Sequence, residues 1–272
     1  MLSDREKWLF DLHGFLVLKQ VVSPDDVRRM RELGETWHAL DDADLPAPLI
    51  TYRDSSTKTS TPRAINRVEY VDEVFQRLAL NREIMRVVLA LTGNSPQLLQ
   101  LALTRNVREN DDIQFHQGAT GGLRNPANDY QAANGEVFAT FLNAAVSLVD
   151  VPPGAGGFVC IPGSHKSNFP YPEDIGIYDD PPAVYNVNVQ AGDCVLFTEL
   201  LRHGARRWTL DTPRHTVFVR YSTSYASWSP GVGPLEEYRN HLPEELYELM
   251  QMRGFQSHKK VVRRLLAKMG EE

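Results

Sequence analysis

The run GDCVLFTELLRHGARRWTLDTPRHTVFVRYSTSY, residues 192–225, decides the fold. Two stretches of it, Cys194 to Thr198 and His215 to Tyr225, are rich in β-branched and aromatic residues and are bounded by Gly, Asp, Thr and Pro. That is the composition of strands punctuated by turns. Between them His203 stands eleven residues after Gly192, and Arg214 stands eleven residues after His203. Working back from there, the same extended pattern predicts strands at Leu98 to Val107, Ile113 to Gln117, Val137 to Val151, Phe158 to Ile161 and Val184 to Val189. Helical spacing occupies the two ends. Ser23 is a good N-cap, Pro24 suits the first helical position, and Val27, Met30, Leu33 and Trp37 form one buried stripe. Val74, Leu78, Ile84, Val88 and Leu91 do the same within Val71 to Leu91, and Pro243 to Lys268 returns to helix. Helices followed by a run of strands predict an α+β chain with an antiparallel sandwich or jelly roll, not a Rossmann sheet.

Composition narrows the function. The 272 residues suit one enzyme-sized domain, read as a helical flank at 1–95, a strand core at 96–225 and a helical tail at 226–272. A net charge of −6 supplies no basic field for a nucleic-acid polymer. Two cysteines make no disulfide scaffold, and no stretch approaches the roughly 20 apolar residues that cross a bilayer. The expectation is a cytoplasmic protein with neither a nucleic-acid nor a membrane partner.

Eight histidines occur, and spacing raises two of them. His116 ends the predicted strand Ile113 to Gln117, just before a Gly/Asn-rich loop from Gly118 to Glu136. A jelly roll can bring a histidine of an early strand and one of a late strand to the same mouth, although 87 residues separate His116 from His203. An arginine on the next strand can point into that cavity. Imidazole suits iron, and a guanidinium fork suits a carboxylate better than a lysine does.

The spacing of His116, Gly192-Asp193, His203 and Arg214, the segment Gly156-Gly-Phe-Val-Cys-Ile-Pro-Gly-Ser-His-Lys and the N-terminal Gly14-Phe-Leu-Val-Leu together resemble the phytanoyl-CoA dioxygenase-like family. The resemblance spans roughly residues 8 to 225. It implies a double-stranded β-helix (jelly-roll, cupin-like) core, Fe(II), 2-oxoglutarate and O2. It also implies that His116 and His203 bind the iron and that Arg214 holds the distal carboxylate of 2-oxoglutarate. Family members often carry a serine two residues after the last histidine, where this chain has Ala205; Thr216, on the strand face of Arg214, is expected to replace it. Thr104 and Asn143, with Gln100, are expected to meet the other end of the cosubstrate.

One departure outweighs the matches. The family pattern is His-x-Asp or His-x-Glu, the carboxylate completing a facial triad, whereas this chain reads His116-Gln117-Gly118. Variants of that kind resemble iron/2-oxoglutarate halogenases, in which chloride or bromide takes the vacated position. The resemblance then implies chlorination of an unactivated aliphatic carbon, with Gly118 as the halide position. Glycine also suits a bulge with the carboxylate supplied elsewhere. Asp112 lies roughly 13 Å along an extended chain from His116, too far for one metal, whereas Glu199 is harder to exclude. Hydroxylation and a non-catalytic relic of the fold stand as the second and third readings.

Substrate residues are expected in the segment 41–67, read as a flap, in the loop 118–136, and near Tyr221. Arg63, Arg67 and Arg124 in a net-acidic chain point to an anionic small molecule, and with Tyr221 as a stacking ring a free nucleotide fits. A substrate held on a carrier protein stays open.

Overall fold

The computed structural model describes residues 2–52, 63–118, 128–226, 233–254 and 259–270. The chain opens with helix α1 (Asp4–His13), capped by Ser3 in a reciprocal box with Glu6. Gly14, at φ +81°, ends it and turns the chain into strand β1 (Phe15–Leu18). Helix α2 (Pro24–His38) has the expected Ser23 cap, which accepts a hydrogen bond from the Asp26 N–H. Strands β2 (Ile50–Tyr52) and β3 (Arg63–Asn66) follow. The helical run expected over Val71 to Leu91 is two helices, α3 (Glu73–Ala79) and α4 (Arg82–Leu91). Asn81 breaks it by capping the second, accepting from the Glu83 and Ile84 amides.

Strands β4 (Pro96–Asn106) and β5 (Ile113–His116) come next, then a hairpin of β6 (Tyr130–Ala133) and β7 (Glu136–Ala139). Its turn, Asn134-Gly135, places both residues at positive φ, the geometry that two-residue hairpins demand. β6 and the hairpin turn lie inside the segment read as a loop, and Thr140 separates β7 from β8 (Phe141–Ser147), which the sequence joins into one long strand. The remaining strands are β9 (Gly157–Cys160), β10 (Tyr185–Asn186), β11 (Cys194–Thr198), β12 (His203–Arg206) and β13 (Arg214–Thr223). Helices α5 (Glu244–Met250) and α6 (Lys260–Gly270) close the chain.

The strands build a major sheet in the order β1-β11-β8-β13-β4-β3-β2, a minor sheet in the order β10-β9-β12-β5, and the separate β6-β7 hairpin. All pairings are antiparallel. This is the expected α+β jelly roll with flanking helices. The helical flank is not purely helical, however, because β1, β2 and β3 join the major sheet. The limbs of the segment read as a flap therefore extend that sheet, β3 pairing with β4 and β2 with β3.

Alternation along β13 separates two environments. Val217, Val219 and Tyr221 face the helices and share a core with Phe10, Met30, Phe75 and Ile84. Each such fully buried side chain contributes about 1.5–3 kcal/mol of burial free energy. Arg214, Thr216, Phe218 and Arg220 occupy the opposite face, toward the minor sheet. There Phe218 and Phe158 border a second core of Phe15, Ala145, Cys160, Val195 and Phe197. Arg214, Thr216 and Arg220 on that inter-sheet face belong to the site described next.

Candidate metal and cosubstrate site

His203 on β12 pairs in register with His116 on β5, so neighbouring strands of the minor sheet hold the two imidazoles side by side. Their ring centroids lie 4.3 Å apart. The Nδ1 atoms are held alike: His116 Nδ1 is 3.0 Å from the Gln114 carbonyl, and His203 Nδ1 is 2.7 Å from the Leu201 carbonyl. A carbonyl only accepts, so the proton sits on Nδ1 in each ring and the Nε2 lone pair is left for a metal. Burial, then the positive charge that His116 and Arg220 would present, pushes His203 down to about 3. His203 is therefore neutral at ordinary pH, the form that ligates. The ring of Phe197 meets that of His203 edge-on at 4.7 Å and Phe158 stacks against it at 5.9 Å.

Arg214 opens β13 with its guanidinium buried. Its Nε has no hydrogen-bond partner among the described residues, and burial pushes it down to about 10. A Cβ built on Gly157 would stand 2.9 Å from Arg214 Nη1, so glycine there, at φ +79°, makes the room the guanidinium occupies. The Trp208 ring lies 6.0 Å from the guanidinium carbon, and its Nε1 donates to the Thr212 carbonyl. A buried cation without a partner is costly, and a carboxylate is the group that would satisfy it. Two imidazoles side by side and this orphaned guanidinium fit iron together with a dicarboxylic 2-oxo acid.

The expected third-ligand position holds no acid. Among the described residues no third His, Cys, Asp or Glu joins the two histidines in a metal-holding group. Gly118 donates its N–H to the Glu199 carbonyl at 2.8 Å. A Cβ at Gly118 would lie 1.9 Å from Asn128 Nδ2 and 2.9 Å from Glu199 Cγ. Asn128 is buried, and both its amide atoms lack partners among the described residues. The space beside Gly118 is thus lined by an unused amide and by the stem of Glu199.

Thr216 and Thr104 face each other across β13 and β4, and the Thr104 hydroxyl donates to the Thr216 carbonyl at 3.2 Å. Both lie on the inter-sheet face, one rung from Arg214, so Thr104 stands at the Arg214 end and not, as expected, at the other end, because it pairs with Thr216 across the sheet. Asn143 is placed differently. Its Nδ2 donates to Glu199 Oε2 at 2.5 Å, and its Oδ1 accepts from Arg220 Nε at 3.2 Å. Arg220 Nη1 donates to Gln100 Oε1 at 2.7 Å, and Gln100 donates in turn to Asn66. Arg220 was not among the expected residues, although it shares a strand face with Arg214 at an even spacing.

Two expected substrate residues are corrected. Tyr221 is fully buried on the helix side of β13, donating its hydroxyl to the Ala79 carbonyl at 2.7 Å, because its odd offset from Arg214 turns it away from the site. Arg63 is consumed at the end of α2: its Nη1 reaches the Leu40 carbonyl at 2.6 Å and its Nη2 lies 2.6 Å from Asp42. Arg67 is half-buried in a left-handed conformation after β3, its N–H on the Leu101 carbonyl. Arg124 lies outside the described residues. Among those described, no helix is long and apolar enough to cross a membrane.

Comparison with known proteins gives the family and the fold. The profile of the family described as Phytanoyl-CoA dioxygenase (PhyH) matches residues 10–216. HygX from Streptomyces hygroscopicus, solved with nickel, 2-oxoglutarate and hygromycin B bound, superposes with a TM-score of 0.68 at 24% identity, over 84% of this chain and 90% of that one. The epimerase SnoN, in complex with Fe3+, alpha ketoglutarate and nogalamycin RO, gives 0.60 at 20% identity, over 85% and 91%. The alpha ketoglutarate dependent carbocyclase SnoK from nogalamycin biosynthesis gives 0.61 at 20% identity, over 85% and 88%. No curated protein sequence matches.

Proposed function

This chain belongs to the phytanoyl-CoA dioxygenase family, and from that premise we propose a non-haem iron, 2-oxoglutarate-dependent halogenase acting on an aliphatic carbon of a small molecule. His116 and His203 hold the iron through Nε2, and Arg214 holds the distal carboxylate of 2-oxoglutarate, with Thr216 and Thr104 beside it. When bound, iron and 2-oxoglutarate supply oxidative removal of a hydrogen atom from carbon. In net terms a C–H substrate, halide, O2, 2-oxoglutarate and a proton yield the C–halogen product, succinate, CO2 and water.

The observation that carries the halide reading is the environment of Gly118. A carboxylate there would collide with Asn128, whose buried, unpartnered N–H2 group is a donor suited to a monatomic anion. The chain thus removes a negative charge and supplies a hydrogen-bond donor at the same place. The expected substrate anion has less support once Arg63 is withdrawn.

A second reading, hydroxylation, is favoured by Glu199, whose Cγ stands 2.9 Å from the Gly118 Cβ position. A carboxylate branching from there could replace the missing ligand. The two readings part in an anaerobic titration of the Fe(II)/2-oxoglutarate protein with chloride and bromide. The halide reading expects the visible charge-transfer band to move with halide, and Asn128→Leu to weaken that response. A band indifferent to halide, together with weakened iron binding in Glu199→Gln, would transfer the assignment to hydroxylation. Gly118→Asp alone is a poor restoration of the triad because Asn128 blocks it; Gly118→Asp with Asn128→Gly is the informative variant.

A further inference from the structure

We propose that Arg220 is a second anchor for 2-oxoglutarate, taking the carboxylate at the iron end while Arg214 takes the distal one. This rests on the reading of the site as a 2-oxoglutarate site. Arg214 and Arg220 share the inter-sheet face of β13, six residues and roughly 20 Å of extended strand apart. One rung of the major sheet runs Phe197, Asn143, Arg220, Gln100. Phe197 is the residue whose ring touches His203, so Arg220 stands on the rung nearest the histidines. Arg214 stands further along: it lies against Gly157, which pairs with Arg206, three residues along the β9-β12 ladder from the His203–Cys160 pair. Three residues of that ladder are about 10 Å, far less than the strand distance between the two arginines and about the span of a five-carbon dicarboxylate with a hydrogen bond at each end.

The surroundings of Arg220 are built for an anion that is not part of the protein. Its described acceptors are two neutral amide oxygens, Asn143 Oδ1 and Gln100 Oε1. Each amide turns its oxygen to Arg220 and passes its N–H2 onward, to Glu199 and to Asn66, so both are fixed in that orientation. The fork is held in place, and Nη2 has no acceptor among the described residues. A half-buried guanidinium oriented by amides keeps its charge available for a carboxylate.

The test is calorimetric titration of the anaerobic Fe(II) protein with 2-oxoglutarate and with 2-oxobutanoate, which retains the 2-oxo acid end and lacks the distal carboxylate. Arg220→Gln should weaken both ligands by a similar factor, roughly ten- to a hundredfold, the loss expected of a charged hydrogen bond. Arg214→Gln should weaken 2-oxoglutarate and leave 2-oxobutanoate unchanged. Arg220→Lys, which keeps the charge and loses the fork, should fall between. Wild-type affinity for 2-oxoglutarate in Arg220→Gln, with Arg214→Gln impaired, overturns the proposal and leaves the functional reading standing; a role confined to substrate would give that result. No 2-oxoglutarate binding by the wild-type iron protein would overturn both.

Discussion

Replacing Arg214 by Met should make the ligand-free protein more stable and at the same time abolish its response to 2-oxoglutarate. Burial lowers the Arg214 guanidinium from 12.5 to about 10, and this reflects the free energy of keeping it charged in the folded state. At about 1.4 kcal/mol per pH unit, that is about 3 kcal/mol. The sign follows from proton binding: between pH 10 and 12.5 the unfolded chain holds the extra proton, so the penalty is fully present below pH 10 and relaxes above it. Substituting an apolar residue of similar length for a buried, unpaired charge removes that term and keeps most of the packing, so a gain of about 1–3 kcal/mol is expected. For a chain of this size it corresponds to a rise in Tm of roughly 2–4 °C per kcal/mol. The wild-type protein should instead gain about 2.7 kcal/mol from 2-oxoglutarate at a hundred times its Kd, in the presence of metal, and the variant nothing. Thermal unfolding with and without the ligand reads both halves. A ligand-free variant less stable than wild type by more than about 1 kcal/mol, or one that still responds to 2-oxoglutarate, would show that Arg214 serves the fold and not a carboxylate.

Tyr221→Phe should cost about 1 kcal/mol by leaving the Ala79 carbonyl unsatisfied, while 2-oxoglutarate affinity stays unchanged, because the ring faces the helices; altered affinity in calorimetry would contradict that placement. Gly14→Ala should destabilise by about 1–3 kcal/mol in urea unfolding, since φ is +81° and the new Cβ would lie 2.5 Å from His165 Nδ1. Lys259 is buried, donates to the Pro96 and Leu249 carbonyls, and is pushed down to about 7, mainly by burial. Between pH 7 and 10.5 the unfolded chain therefore holds one more proton at this group. Its contribution to stability should rise with pH by up to about 1.4 kcal/mol per unit, and the slope should vanish in Lys259→Met. Glu69 works oppositely: burial pushes it up to about 8, so its contribution falls as pH climbs from 4.5 to 8, and Glu69→Gln should remove that fall in the same urea series.

The strand core was legible because its segments carry dense β-branched and aromatic runs between turn residues, and Cys194–Thr198 appears with the bounds expected. β12 was not legible: His203-Gly-Ala-Arg has no β-branched residue, and it is a strand only because β5 and β9 pair with it on either side. The break between α3 and α4 was written in Asn81, a cap residue inside an otherwise unbroken apolar period. β2 and β3 were hidden by the polar composition of residues 41–67, where pairing of β3 with β4 and of β2 with β3 supplies what propensity does not.

The site divides along the same physical line. Spacing singles out His116, His203 and Arg214 and the family resemblance suggests their roles; the β5–β12 register is what sets the two imidazoles side by side. Tyr221 failed for a reason available in the sequence, since an odd offset from Arg214 on one strand cannot share its face. Arg220 passes the same parity test, so its place on the Arg214 face is available from the sequence as well. Asn128 and Glu199 are another matter. Nothing in the interval between 118 and 128, or between 118 and 199, places an amide nitrogen 1.9 Å from a Cβ that does not exist. Glycine in a sequence reports only that a side chain is absent, and what fills the space is decided by segments that meet it in three dimensions. The same absent side chain is compatible with a halide held by Asn128 and with an acid supplied by Glu199. The choice between them therefore turns on the charge of the group that approaches the iron, which halide titration and Glu199→Gln measure separately.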